Sequence, residues 1–111
     1  MQQRQLSGRE LEIATQVKKI AQSILPDAEV ILYGSRARGD ARKDSDWDFL
    51  VLTNAPVNIA VIAELRRAMY DLTLELAEVI SAFVENRQQW ATPILKASPY
   101  YQTVEREGIA I

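Results

Sequence analysis

Two apolar runs, AEVILYG at residues 28–34 and WDFLVLT at residues 47–53, lie only about a dozen residues apart. Short runs rich in β-branched and aromatic residues are typical of buried strands. The segment that joins them, SRARGDARKDSD, has room for one helical turn and a loop. The chain must therefore build its core around two closely connected strands.

Helical patterns lie on both sides of these strands. Ser7 and Glu10 have the spacing of a capping box, and apolar residues then recur at helical spacing. They predict a helix over about residues 8–25, which Pro26 ends. After the second strand, a similar apolar stripe predicts a helix over about residues 57–73.

The rest of the chain adds a third strand and a short helical tail. AEVISAFVE, residues 77–85, has the composition of a strand, and Asn86 and Ser98 are in place to cap two short helices. The element order predicts a small mixed β-sheet covered by helices, and therefore an α/β or α+β fold. We expect the 111 residues to form one domain, with a core over about 7–85 and a tail over 86–111.

Composition excludes several classes of protein. The net charge of −2 offers no overall attraction to nucleic acid or to an anionic membrane, so we expect neither as a direct partner. The sequence contains no cysteine and no histidine, which excludes disulfides, thiolate metal sites and a histidine base. The N-terminus, MQQRQLSGRE, has no apolar signal-peptide core, and no later run has the length of a membrane span. We therefore expect a cytoplasmic protein.

Two aspartates open the second strand. Because side chains alternate along a strand, Asp46 and Asp48 should share one face while Trp47 points to the other. Neighbouring carboxylates repel each other, and a divalent cation such as Mg²⁺ or Mn²⁺ relieves that repulsion by taking both as ligands together with substrate phosphates. The alternative is a solvated charged face. The apolar residues FLVL that follow favour a central strand, where unneeded charge is disfavoured.

A Gly-Ser turn follows the first strand directly. Gly34 permits a close approach of the backbone, and Ser35 can cap the next turn, whose free amides would bind an anion. Four basic residues surround this turn, namely Arg36, Arg38, Arg42 and Lys43. In a weakly acidic chain, this concentration of positive charge predicts a phosphate-binding site.

The segment GSRARGDARKDSDWD resembles the signature of the minimal nucleotidyltransferases, the small MNT branch of the DNA polymerase β-like superfamily. The residues that match the pattern are Gly34, Ser35, Ala37, Arg38, Gly39, Ser45, Asp46 and Asp48. The resemblance covers roughly residues 7–85 and implies the polymerase β-like nucleotidyltransferase fold. The residues that it implies in nucleotide binding are Gly34, Ser35, Arg38 and Ser45. It further implies that Asp46 and Asp48 are catalytic residues that bind the metals.

Members of this superfamily use a third carboxylate on a later strand, usually an aspartate. In this chain the position falls within LAEVISAFV, and the resemblance makes Glu78 the candidate for the third catalytic residue and metal ligand. Glutamate is one methylene longer than aspartate and so departs from the usual pattern. The alternatives are that Glu78 is an exposed strand residue, or that Asp71 or Glu75 takes the role. Without histidine, the base must be a carboxylate, or the metal must promote deprotonation.

The aromatic residues of the tail admit two interpretations. Trp90, Tyr100 and Tyr101 could stack on a nucleobase. Aromatic residues in short amphipathic helices more often anchor a core or an interface, which we regard as the simpler interpretation.

The leading hypothesis is an enzyme that transfers an NMP, most simply AMP from ATP, to a hydroxyl acceptor and releases pyrophosphate. By resemblance, stand-alone MNT proteins accompany a HEPN ribonuclease toxin as its antitoxin, and some adenylylate a tyrosine of that toxin. The alternative hypothesis is a catalytically weak module that neutralises a HEPN partner by contact. Transfer to a small molecule such as an aminoglycoside is a third and less favoured hypothesis.

Overall fold

The computed structural model of the protein describes residues 1–2 and 4–111. The elements follow in this order: α1 (Gly8–Ile24), β1 (Glu29–Tyr33), α2 (Ser35–Arg38), β2 (Trp47–Thr53), α3 (Ile59–Leu76), β3 (Ile80–Asn86), α4 (Arg87–Trp90), α5 (Pro93–Lys96), α6 (Pro99–Glu107) and β4 (Ile109–Ala110). The predicted mixed sheet covered by helices is confirmed. Within the described part of the chain, none of the helices combines the length and the apolar character that a membrane crossing requires.

The strands of the described residues form one four-stranded sheet in the order β3-β2-β1-β4. β1 lies antiparallel to both β2 and β4, whereas β2 and β3 run parallel. The long helix α3 makes the crossover that two parallel strands need. β2 is therefore central, as its apolar run predicts, and β3 lies at an edge of the sheet.

Different helices cover the two faces of the sheet. Trp47 and Phe49 of β2 pack with α1 and α3 on one face, which we name the helix face. Leu50 packs with Trp90 and the other tail residues on the opposite face, which we name the tail face. Because side chains alternate along β2, Asp48 points to the tail face.

The boundary between α3 and β3 differs from the prediction. α3 ends at Leu76 and β3 begins at Ile80, each three residues later than expected. The segment LTLEL consists mainly of good helix formers and continues the helix, until Ala77 ends it in the left-handed conformation with φ 55°. Glu78 therefore precedes the strand instead of lying on it.

The helix caps agree with the predictions only in part, and one short strand was not predicted. The capping box is not formed, because Ser7 makes no side-chain cap bond and Glu10 pairs with Arg4 at 3.2 Å between Oε2 and Nη2. The caps at Asn86 and Ser98 are formed as predicted. β4 was not predicted, because a strand of two residues is too short to show a periodic pattern.

Candidate active site

β1 and β2 bring the Gly-Ser turn against the aspartate pair. Tyr33, the last residue of β1, is the cross-strand partner of Asp48, so Gly34 follows directly beside that carboxylate. Gly34 has φ 79° and ψ −162°, a conformation essentially confined to glycine. A Cβ at this position would lie 2.7 Å from Asp48 Oδ2. The turn thus lets backbone and carboxylate meet at a distance that a side chain would prevent.

The two aspartates differ in their surroundings. Asp48 is half-buried on the tail face, whereas Asp46 is exposed just before β2 begins. Burial raises the pKa of Asp48, the charge of Asp46 raises it further, and Arg38 opposes both effects. The two carboxylates therefore interact. Together with the close approach at the turn, they form a donor set that suits one hard divalent cation shared with phosphate oxygens.

The helix α2 begins in the Gly-Ser turn. The N–H groups of Ala37 and Arg38 donate to the Gly34 carbonyl at 3.0 and 2.9 Å, whereas those of Ser35 and Arg36 have no acceptor among the described residues and are available to an anion beside Asp48. Arg38, predicted to bind nucleotide, pairs with Glu107 at 2.9 Å and with Asp40 at 3.2 Å. Its positive charge is thus already shared by two carboxylates, and its role in nucleotide binding stays a prediction.

Ser45 and Arg36 stabilise the loop that leads to Asp46 and Asp48. The Ser45 hydroxyl accepts a hydrogen bond from the Arg42 backbone N–H at 2.7 Å, and the Ser45 carbonyl accepts one from Arg36 Nη2 at 2.9 Å. The Arg36 guanidinium also lies over the Trp47 ring, 4.5 Å from its centroid. These contacts give both residues a structural role. Nucleotide binding by Ser45 remains a prediction that no contact here tests.

The structure does not bring Glu78 to the aspartate pair. Glu78 Oε2 accepts a hydrogen bond from Trp47 Nε1 at 3.1 Å, and the carboxylate also lies 3.5 Å from Arg9 Nε and 3.6 Å from Arg36 Nη2. Trp47 belongs to the helix face, opposite to Asp48. The expected placement of Glu78 beside the aspartates is corrected, because α3 extends past its predicted end and leaves Glu78 outside β3.

We expect Glu78→Ala to lower the free energy of unfolding by about 1–3 kcal/mol, because it leaves the indole N–H of Trp47, which is 2% exposed, without its acceptor. The matched control is Glu78→Gln, which keeps an acceptor oxygen and should lose less stability. Urea denaturation of the two variants and the parent measures the difference. Equal stability of Glu78→Ala and the parent would contradict this structural role.

Ser81 occupies the place on β3 that adjoins the aspartates. β2 and β3 run parallel with Asp48 and Ser81 as direct partners, so both side chains point to the tail face. Asp71 and Glu75, the alternative third carboxylates, are exposed on α3. Residues 1–2 and 4–111 contain no group of three acidic side chains close enough to hold a metal ion. A hydroxyl thus lies beside Asp48 where a carboxylate of β3 would complete such a group.

Aromatic side chains line the tail face near Asp48. The Tyr100 ring packs between Tyr33, at 5.7 Å, and Trp90, at 5.3 Å between ring centroids. Its hydroxyl is buried and makes no hydrogen bond with the residues that the structure describes, and burial raises its pKa. The interpretation of the tail aromatics as core anchors is confirmed. Tyr33 and Ser81 escaped the sequence analysis, because only the strand register reveals that they flank Asp48.

Comparison with known proteins gives a family match and similar folds. Residues 14–105 match the model of the nucleotidyltransferase domain family. The probable protein adenylyltransferase MntA of Haemophilus influenzae is 34% identical over 70 residues, which are 63% of this chain. The match spans about 60% of the length of that relative.

Three solved structures share the fold. A chain in a crystal structure of a toxin-antitoxin with AMP-PNP has a TM-score of 0.61 at 21% identity, over 93% of this chain and 72% of that one. A complex of tri-AMPylated Shewanella oneidensis HEPN toxin with MNT antitoxin gives 0.57 at 18% identity, over 91% and 70%. A structure described as a minimal nucleotidyltransferase gives 0.59 at 23% identity, over 96% of this chain and 100% of that one.

Proposed function

Because the chain belongs to the nucleotidyltransferase domain family, we propose that it transfers a nucleoside monophosphate, namely AMP, from the triphosphate to a hydroxyl acceptor. The observation that carries this proposal is the close approach of the Gly34 turn to the Asp48 carboxylate. Transfer needs a phosphate site and a cation site at one point, since the reacting phosphorus must be both positioned and neutralised.

In this proposal the phosphates of ATP lie against the turn of Gly34 and Ser35, where the first amides of α2 donate hydrogen bonds to them. Asp46 and Asp48 hold a divalent cation, Mg²⁺ or Mn²⁺, which neutralises phosphate charge when bound. The acceptor oxygen forms a bond to the α-phosphorus while the bond to pyrophosphate breaks. The hydroxyl proton passes to solvent or to a nearby carboxylate.

We further propose a tyrosine of a HEPN toxin as the acceptor, which would make this chain the antitoxin of that toxin. Two relatives support the proposal. One is named a probable protein adenylyltransferase, and one solved structure contains an AMPylated HEPN toxin together with an MNT antitoxin.

We expect ATP to bind at least about tenfold more weakly in chelator than in Mg²⁺, because the aspartates repel the phosphates until a cation intervenes. Calorimetric titration with ATP measures both affinities. Asp46→Asn is the control variant: it should lose most of the metal dependence while keeping its thermal transition, since it removes a charge that opposes Asp48. Equal affinity in chelator and in Mg²⁺ would exclude the proposed cation site.

A second candidate function is neutralisation of the HEPN partner by contact alone, with ATP bound but little transfer. The observation that favours it is the position of Ser81, which adds no carboxylate beside Asp48, together with the engagement of Glu78 by Trp47. Under this alternative, a co-expressed toxin would be neutralised equally well by the parent and by Asp46→Asn. Under the enzymatic proposal, the variant would fail to neutralise it.

A further inference from the structure

The strand β3 lies at one end of the sheet, and no second strand of the described residues pairs with its outer edge. β3 is a terminal strand of the sheet, and its seven residues, ISAFVEN, contain neither lysine nor proline. Natural proteins commonly block such edges with those residues, with bulges or with a covering element, because an open edge invites pairing with another strand. An unprotected edge of this length therefore indicates a surface for strand addition.

The hydrogen bonds identify which backbone groups are inside the sheet. The Trp47 N–H donates to the Val79 carbonyl at 2.9 Å, and Trp47 is the register partner of Ile80. In a parallel ladder, a residue that bonds to one neighbour of its partner bonds to the other neighbour as well. Ser81 and then Phe83 therefore direct their backbone groups toward β2.

The intervening residues direct their backbone groups outward. The Ile80 N–H already does so, since it donates to Thr73 Oγ1 at 3.1 Å instead of to β2. The N–H and C=O groups of Ala82 and Val84 point the same way by alternation, and none of the described residues pairs with them along this edge. They form a row of donors and acceptors that another strand would satisfy.

An apolar groove runs along the same edge. It has a volume of about 440 Å³ and lies between α3 and β3. Tyr70, Val79 and Phe83 line it and are 62%, 52% and 51% exposed, so three exposed apolar side chains meet in one groove. The edge thus offers side-chain contacts beside the open backbone groups.

The free edge lies on the acceptor side of the candidate active site. The Gly34 turn follows β1, Asp46 lies just before β2 and Asp48 within it, and β3 lies on the opposite side of β2 from β1. If the phosphates of ATP lie at the turn, the pyrophosphate leaves toward β1. A hydroxyl that attacks the α-phosphorus in line with this leaving group then arrives from the side of β3. Ser81, next to Asp48, is small and leaves this approach open on the tail face.

We propose that an extended segment of a partner protein adds to β3 as a fifth strand and presents a tyrosine hydroxyl over Ser81 to the aspartates. An added strand would lie two strand spacings, roughly 10 Å, from β2. Serine and threonine hydroxyls are too short to cross that gap, whereas tyrosine is the longest hydroxyl side chain. The choice of tyrosine rests on the proposed function, but docking at the edge does not.

The dimensions of the edge favour a short segment over a second copy of this chain. Seven residues at ~3.3 Å each give a strip about 23 Å long, and at a width of about 10 Å it covers roughly 230 Å². Stable interfaces bury about 800 Å² on each partner. A transient peptide-like contact fits this strip, and a stable dimer through it does not.

Phage-displayed heptapeptides with a central tyrosine test the docking. The bait is the full chain carrying Asp48→Asn, so that the result does not depend on transfer. Ala82→Pro removes one outward N–H without breaking the β2 ladder, and Ala82→Ser keeps it as the matched control. We expect enrichment with the bait and with Ala82→Ser, and a loss of at least about tenfold with Ala82→Pro.

Tyr70→Ala, an exposed substitution in the groove, is the second variant and should also reduce enrichment, even if Ala82→Pro proves unfolded by circular dichroism. Enrichment that neither Ala82→Pro nor Tyr70→Ala reduces would overturn the docking. So would a concentration-dependent dimer in sedimentation that Ala82→Pro dissolves, since the occupant would then be a second copy.

Delivery of the tyrosine is tested separately with the catalytically intact chain and labelled ATP. We expect enriched peptides to accept label at least about tenfold better than the same peptides with the tyrosine moved by one position, which points it to the other face. Equal labelling would overturn delivery by β3. Absence of label from every acceptor would instead refute the proposed transferase function, and the docking would be judged on the binding result alone.

Discussion

Ser81→Asp is expected to raise the rate of labelled AMP transfer by about 10²-fold, the scale on which a single positioned charge or base contributes to catalysis. The register places residue 81 directly beside Asp48 on the tail face. An aspartate there would complete a group of three carboxylates with Asp46 and Asp48. Transfer from α-labelled ATP to a tyrosine-containing acceptor, followed over time, measures the change.

The matched control is Ser81→Asn, which has nearly the same shape as the aspartate and no charge. It should leave transfer at the level of the parent. Thermal unfolding tests metal binding independently of catalysis. In the absence of metal, the added charge should destabilise Ser81→Asp. Mg²⁺ should then raise the melting temperature of Ser81→Asp more than that of the parent. If the parent transfers AMP measurably and as fast as Ser81→Asp, the site works without a third carboxylate. The contact-only alternative then loses its support.

The central strands could be predicted from the sequence because their signal is local. The apolar runs of β1 and β2 are short, β-branched and bounded by turn residues, and β2 has the predicted boundaries. The Gly-Ser turn could be predicted for the same reason. Its position after β1 and its need for glycine follow from residues adjacent in the chain, although the contact with Asp48 becomes visible only with the strand register.

The residue that β3 places beside Asp48 could not be predicted, because its identity depends on where α3 ends. A shift of three residues at that boundary places Glu78 in the connection before β3, where it bonds to Trp47, and gives Ser81 the position beside Asp48. Strand alternation amplifies such an error, since a one-residue shift already exchanges the two faces.

Long-range pairing was equally hidden from the sequence. Arg38 lies in a segment that resembles a nucleotide-binding signature, yet its guanidinium pairs with Glu107, which is 69 residues away. A basic cluster in the sequence therefore predicts positive charge near a turn, but the charge that remains for phosphate depends on acids that the fold brings to it.

Gly34→Ala is expected to lower the free energy of unfolding by about 2–6 kcal/mol. Two costs add at this position: roughly 1–3 kcal/mol for a side chain in a conformation confined to glycine, and about 1–3 kcal/mol for the overpacking that a Cβ 2.7 Å from Asp48 Oδ2 would cause. Gly8→Ala is the matched control, because Gly8 also has a positive φ, 56°, but a Cβ there would meet nothing within 4 Å. It should cost only about 1–2 kcal/mol, and urea denaturation measures both variants.

The contact itself is isolated by a double-mutant cycle. Asp48→Ala removes the carboxylate that the new Cβ would strike, so Gly34→Ala should cost at least about 1 kcal/mol less in that background than in the parent. Gly34→Ala alone should also lose metal-dependent ATP binding by at least about tenfold in calorimetry, because the carboxylate must move away from the turn that holds the phosphates. Gly8→Ala should bind ATP like the parent. Strictly additive stabilities, with ATP binding intact in Gly34→Ala, would show that turn and carboxylate do not act as one site.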